Sequence, residues 1–150
     1  MIVSNFVGRG YNVFLLIVYI GIIIDITLMF RESKALNTYI KPFQSYKQLL
    51  TDSQSRSGVL RNIWLFIPLG AILYRLFPSK KALIFPILLS ICIEIVQYYT
   101  KTGYCELDDV ISNSFGGFIG YVFMQMIIQI KCRILIRFHP SDILSISSRR

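Results

Sequence analysis

Apolar residues fall into four stretches, each about as long as a transmembrane helix. A helix needs about 20 residues to cross a hydrocarbon core about 30 Å thick. None of the stretches alternates polar and apolar residues as a barrel strand does, and lipid offers the backbone no hydrogen-bonding partner, so all four are predicted to be helical. The predicted spans are residues 11–30, 59–77, 82–99 and 110–130.

The segments outside these spans complete the predicted topology. Residues 31–58 form a loop that mixes apolar and basic residues, and Pro42 prevents it from being one continuous helix. Residues 131–150 form a basic C-terminal tail. We therefore predict one all-α membrane domain over residues 1–150, a polytopic bundle of four transmembrane helices with both termini on the same side.

Composition and charge agree with a membrane protein. The chain is 54% apolar and 16% charged, with a mean hydropathy of +0.57, which is more apolar surface than one small water-soluble core can bury. Sixteen Lys and Arg residues against eight Asp and Glu give a net charge of +8. Because these cations flank the apolar stretches, they are typical of charges beside anionic lipid and do not indicate a nucleic-acid partner.

The same cations predict the orientation. We call the side that holds both termini side A and the opposite side B. Side A receives more Lys and Arg residues than side B, although the loop over residues 31–58 adds several cations to side B. The positive-inside rule then predicts a multi-pass protein of the cell membrane with both termini in the cytoplasm.

Cysteine and histidine contents indicate neither a disulfide framework nor a metal site. The three cysteines, Cys92, Cys105 and Cys132, are widely spaced and odd in number, and His139 is the single histidine. Thiolate clusters and multi-histidine sites need more of these ligands at closer spacing. We expect no metal and no cofactor.

Polar residues inside the spans gather near side B. Because successive helices run in opposite directions, position along the chain converts into depth, and Asp25, Asn62, Glu94, Gln97 and Asn113 all fall at this level. An ionisable group at mid-bilayer costs about 2.5 to 3.5 kcal/mol, so we expect these side chains to face the bundle interior. The expected binding residues are Asn62, Ser90, Glu94, Gln97, Asp108, Asp109 and Asn113.

Spacing predicts which of these groups meet. Ser90, Glu94 and Gln97 stand at i, i+4 and i+7, so they share one face of the third helix. Asp109 and Asn113 make a similar stripe on the fourth helix.

Two open points concern the carboxylates of this set. One acid of the Asp108–Asp109 pair could serve only to stabilise the start of the fourth helix, where acids meet the positive end of the helix dipole. Glu94 is expected either as a neutral acid held by Gln97 and Asn113, or as a carboxylate paired with Arg61 or Lys101.

Glycine and proline positions predict close packing between helices. Gly116 and Gly120 form a small-xxx-small pair that lets another backbone approach, and they could also serve a homodimer. Pro68 removes one backbone hydrogen bond and is expected to kink the second helix. The full structural set is Phe66, Pro68, Gly70, Gly116, Gly117 and Gly120.

Three motifs resemble the VanZ-like family, which is known for teicoplanin resistance. They are NIWLFIPLG over residues 62–70, LSICIEIVQ over residues 89–97 and ELDDVISNSFGGFIG over residues 106–120. A shorter likeness to the family's Asn-Leu-x-Pro-Phe loop occurs at IKPF, residues 40–43. The resemblance implies an integral membrane protein of a Gram-positive-type cell that lowers susceptibility to teicoplanin and its lipidated relatives more than to vancomycin.

The resemblance leaves the mechanism open, and two hypotheses stand. The first is a binding protein whose outer-leaflet polar pocket engages a lipid-linked cell-wall component, a lipoglycopeptide or a partner protein among the membrane lipids. The second is a small intramembrane enzyme in which Glu94 and Asp109 divide acid and base roles on an envelope lipid or peptide. We favour binding, because neither Ser90 nor Cys105 has a paired base and no metal-ligand spacing occurs in the sequence.

Overall fold

The computed structural model describes residues 2–29, 43, 46–47, 52–100 and 106–138. All regular structure in these residues is helical, and four helices are long and apolar enough to cross a membrane. The predicted all-α membrane class with four spans is therefore confirmed. The remainder of the predicted loop, the 101–105 connection and residues 139–150 lie outside the described residues.

Three of the four helices are longer than the apolar stretches that predicted them, and the third helix is one residue shorter. We name them α1 (Ile2–Met29), α2 (Ser53–Leu76), α3 (Ile84–Thr100) and α4 (Leu107–Phe138), and a short 3-10 helix, Lys80–Leu83, leads into α3. The predicted bounds of α1 and α4 were too short, because turns that mix apolar with polar or basic residues extend both helices beyond the apolar segment. α4 continues through residues 131–138, which the sequence had suggested were tail.

The start of α2 also differs from the prediction, since residues 53–58 belong to the helix and not to the loop. Asp52 caps this end: its carboxylate accepts the backbone N–H groups of Gln54 and Ser55 at 3.2 and 2.9 Å. The Ser55 hydroxyl also donates to it, and these hydrogen bonds hold the pKa of Asp52 below its ordinary value. A polar cap is a stronger start signal here than hydrophobicity, because the first turns of α2 are not apolar.

Helices α2 and α4 pack backbone against backbone. A Cβ added at Gly116 would overlap the carbonyl oxygen of Ile63, and one at Gly120 would overlap that of Ile67. Gly70 of α2 meets the carbonyl of Gly117 in the same way, so the glycines on both helices allow the contact. Gly116 and Gly120 thus face α2 of the same chain, which leaves this pair unavailable for the homodimer contact considered from the sequence.

Helix α1 packs on α2, and a hydrogen bond joins them near Pro68. The Tyr19 hydroxyl donates to the carbonyl oxygen of Leu65 at 2.9 Å. Pro68 has no N–H to donate to the carbonyl oxygen of residue 64, which is next to Leu65. Helix α2 nevertheless continues through Pro68 as one helix. The buried apolar core lies beside this contact and comprises Ile23, Phe66, Leu69, Leu73 and Ile93.

Candidate functional site

A small cavity lies between all four helices, where α1 and α3 end and α2 and α4 begin. Its volume of about 20 Å³ is room for one water molecule or one group of similar size. We call it the polar cavity, and it is lined by Ile26, Thr27, Arg61, Asn62, Leu65, Ile93, Glu94, Gln97, Asp109 and Asn113.

Acidic and amide side chains form the inner wall of the polar cavity. Glu94 is 3% exposed, Asp109 is 6% exposed and Asn113 is 3% exposed, and Asn62 and Gln97 are also buried. Arg61 is exposed and is the one cation among the described lining residues. The cavity therefore has an acidic interior and a basic side chain at its edge.

The Glu94 carboxylate is bound to the start of α4. Its Oε2 atom accepts the backbone N–H of Glu106 at 2.9 Å. Glu106 directly precedes α4, so the carboxylate lies at the positive end of that helix, where a negative charge is stabilised. The sequence had not suggested this backbone partner.

Two amide side chains tie the surrounding helices together. The Gln97 Nε2 group donates to the carbonyl oxygen of Thr27 at 2.9 Å, which joins α3 to α1. The Asn113 Nδ2 group donates to the Ser90 hydroxyl at 2.8 Å, which joins α4 to α3. One of the two alternatives for Glu94 had it held by Gln97 and Asn113, and in the structure the Asn113 amide donates to Ser90 instead.

Asn113 also has an amide oxygen that accepts no hydrogen bond from the described residues. Its Oδ1 atom is fully buried and has no hydrogen-bond partner in the described part of the chain. A buried amide oxygen without a partner is costly, so such an atom beside a cavity indicates a place where a donor binds.

Asp108 does not line the polar cavity, although it was expected to belong to the binding set. Its Oδ1 atom accepts the backbone N–H of Phe43 at 2.7 Å. Nearby, the Tyr46 hydroxyl lies 2.9 Å from the Ser112 hydroxyl, so the described part of the predicted loop is fastened to α4. Phe43 has a φ of 63°, a left-handed conformation that an aromatic residue adopts only when its surroundings impose it.

Two residues of α1 depart from the expected layer of inward polar groups. Asp25 is exposed on the outside of the bundle and does not line the cavity. Asn12 is buried, and its Oδ1 atom has no partner among the described residues, although Asn12 lies 15 residues from Thr27, roughly 22 Å along the helix axis. α1 contributes a backbone carbonyl at Thr27 instead, which no side-chain pattern could indicate.

A family model described as VanZ/LLP1 matches residues 13–129. The chain belongs to this family. No curated protein and no solved structure matches it. All three motifs that resemble the VanZ-like family lie inside the matched range, and so does every residue that lines the polar cavity.

The arrangement in this VanZ/LLP1 family member favours a ligand group that donates hydrogen bonds. Two carboxylates and a spare amide oxygen are acceptors, and acceptors in a dry cavity bind a charged donor more strongly than they would in water. The described residues contain no group of three or more His, Cys, Asp or Glu side chains that could hold a metal ion.

Proposed function

We propose that the protein is a binding protein of the cell membrane that lowers susceptibility to teicoplanin and related lipidated glycopeptides. In this proposal the polar cavity holds the polar end of a lipid-linked envelope component, or of the antibiotic itself, in the outer leaflet. Both termini then lie in the cytoplasm, as the distribution of cations predicts.

One observation carries the proposal: Glu94 of α3 and Asp109 and Asn113 of α4 line the same buried cavity. Such groups are expensive to bury in a membrane and are retained mainly where they serve a function. Glu94 lies six residues from the end of α3, about 9 Å along its axis, which is close to head-group depth.

Aromatic side chains mark the same level. Trp64 is 69% exposed, and Tyr98 and Tyr99 are 50% and 78% exposed, as expected for rings at a membrane interface. The cavity admits only one small group, so the rest of a ligand would lie outside it. Its acyl chains would then run along the exposed apolar faces of the helices.

The test is the susceptibility of a Gram-positive-type host that expresses the parent chain or a variant. Glu94→Gln and Asp109→Asn should each reduce protection against teicoplanin, and the double variant should reduce it further, because each amide keeps its shape but loses its charge. Asp25→Asn is the matched control, since it removes a carboxyl at similar depth but outside the cavity, and should protect as the parent does.

Immunoblots of the membrane fraction must show equal amounts of each variant. Full protection by the double variant would contradict the proposal.

The enzyme hypothesis is retained as the alternative, because both carboxylates line a space of water-molecule size. Proton transfer by a carboxylate pair would be abolished by either amide substitution, whereas binding would be weakened in steps. Complete loss of protection in each single variant, with normal expression, would therefore favour the enzyme.

A further inference from the structure

The polar cavity combines an acidic interior with a basic edge, and this distribution of charge indicates which charges its ligand carries. Glu94 and Asp109 are both nine-tenths buried or more, whereas Arg61 is exposed. A ligand that matches both ends carries a positive group inside and a negative group outside.

Asn113 adds an observation independent of the acids. Asn113 lines the cavity, and its Oδ1 atom is buried with no donor among the described residues. Buried amide oxygens nearly always have a donor, so the occupant is expected to carry N–H or O–H groups. The carboxylates favour a charged donor over a neutral one.

The size of the cavity restricts that donor further. About 20 Å³ is close to the space of one water molecule, and an ammonium group with three hydrogens is of similar size. A trimethylammonium group is larger and has no N–H.

We infer that the polar cavity takes a primary ammonium group from a head group whose neighbouring phosphate lies against Arg61. The assignment rests on the proposed function, because it names the ligand class of the same site. An aminoethyl phosphate has this chemistry. Its ammonium donates to Glu94, Asp109 and the Asn113 Oδ1 atom, while the guanidinium binds the phosphate outside.

The test measures lipid retention by the purified full-length chain. The protein is equilibrated in detergent with equal amounts of dioleoyl phosphatidylethanolamine and dioleoyl phosphatidylcholine, and native mass spectrometry counts each lipid that stays bound. The two lipids share their chains and phosphate and differ only in the methyl groups on nitrogen. The parent should retain the ethanolamine lipid in about tenfold excess over the choline lipid. This ratio corresponds to the free energy of about one charge-assisted hydrogen bond.

Variants separate the two ends of the site. Glu94→Gln and Asp109→Asn should bring the ratio of the two bound lipids toward one. Arg61→Gln should reduce retention of both lipids and leave their ratio unchanged. Asp25→Asn should keep both the amount and the ratio. Circular dichroism of each variant must show the parental helix content, and Glu94→Asp, which keeps the charge, should restore part of the preference if Glu94→Gln is unstable.

Three results would overturn the inference: equal retention of the two lipids by the parent, an equal loss of preference in Asp25→Asn, or a preference that EDTA abolishes, which would assign the cavity to a metal ion. Failure of this inference can be told apart from failure of the proposed function. If cells lose protection in Glu94→Gln while the parent shows no ethanolamine preference, binding in the cavity stands and only the ligand class is wrong.

Discussion

Asn113, which lines the polar cavity, and Ser90 depend on each other in the interior of the bundle. Their hydrogen bond joins α4 to α3, and the two side chains are 3% and 0% exposed. Within such an interior neither group can exchange its partner for bulk water. Loss of one partner therefore leaves the other with the full desolvation penalty.

Ser90→Ala tests this dependence. We expect the free energy of unfolding to fall by about 0.5–2 kcal/mol, because the Asn113 amide would lose the hydroxyl to which it donates. The measurement is the denaturation midpoint in detergent. Ser114→Ala is the control, since among the described residues the Ser114 hydroxyl bonds the Val110 carbonyl of its own helix and no other helix, and it should leave the midpoint unchanged. Equal effects of the two substitutions would show that the interhelical bond adds nothing.

At the residue scale the sequence predicted most of the side chains that line the cavity but not their hydrogen-bond partners. The stripes of α3 and α4 follow from helical spacing, and the structure brings Glu94, Gln97, Asp109 and Asn113 to one cavity. Spacing does not determine how far each helix is rotated about its axis, which depends on packing against its neighbours. For that reason Asp25 could not be placed outside the bundle, and the Thr27 carbonyl could not be recognised as an acceptor.

The pair of α2 and α4 is the closest contact between elements. Three glycines meet backbone atoms of the opposite helix, and Gly117 lies against the Pro86 ring of α3, where an added Cβ would be 2.7 Å from ring carbons. Backbone atoms cannot move aside as a flexible side chain can. The separation of the two helices is therefore set by the absence of side chains at these positions.

Gly120→Ala should separate α2 from α4 and lower the free energy of unfolding by about 1–3 kcal/mol, as overpacked contacts do. The readout is again the denaturation midpoint in detergent. Gly21→Ala provides the comparison, because a Cβ at Gly21 would meet nothing within 4 Å. That variant should be as stable as the parent, or slightly more stable, since alanine favours a helix over glycine. An unchanged midpoint for Gly120→Ala would mean that the helices are not in backbone contact.

At the element scale the sequence predicted the number and order of helices and placed their ends poorly. Long apolar runs identify spans because lipid excludes unbonded backbone. The end turns mix apolar with polar or basic residues, so hydropathy does not mark where each helix stops. Helix caps are the better signal for an end, as Asp52 shows. It is an acid directly before the first residue of α2, but it was not recognised as a cap because it lies several residues before the apolar run.

For the whole molecule, orientation in the membrane decides whether the cavity lies in the outer or the inner leaflet. The bundle end that holds the cavity receives the start of α4, and Cys105 precedes that start by two residues in the sequence. Cys105 lies outside the described residues, so its exposure to the outside is expected from the sequence alone. Cys132 stands near the opposite end of the span, Leu107–Ile134.

A membrane-impermeant thiol reagent applied to intact cells tests the orientation. With the other two cysteines replaced by serine, a chain that keeps Cys105 should be labelled, and one that keeps Cys132 should be labelled only after the cells are permeabilised. Cys92, exposed within α3, serves as a lipid-facing reference that should stay unlabelled in intact cells. The opposite pattern would place the cavity in the inner leaflet and remove it from extracellular ligands.

The bond from Gln97 to the Thr27 carbonyl has a consequence for how this protein can diverge. Because the acceptor is main chain, no replacement at position 27 except one that bends α1 can abolish it. The same holds for Ile63 and Ile67, whose carbonyls rather than side chains meet the glycines of α4. Positions 63 and 67 should thus accept more replacements than positions 97, 116 and 120, a difference that a saturation library would measure.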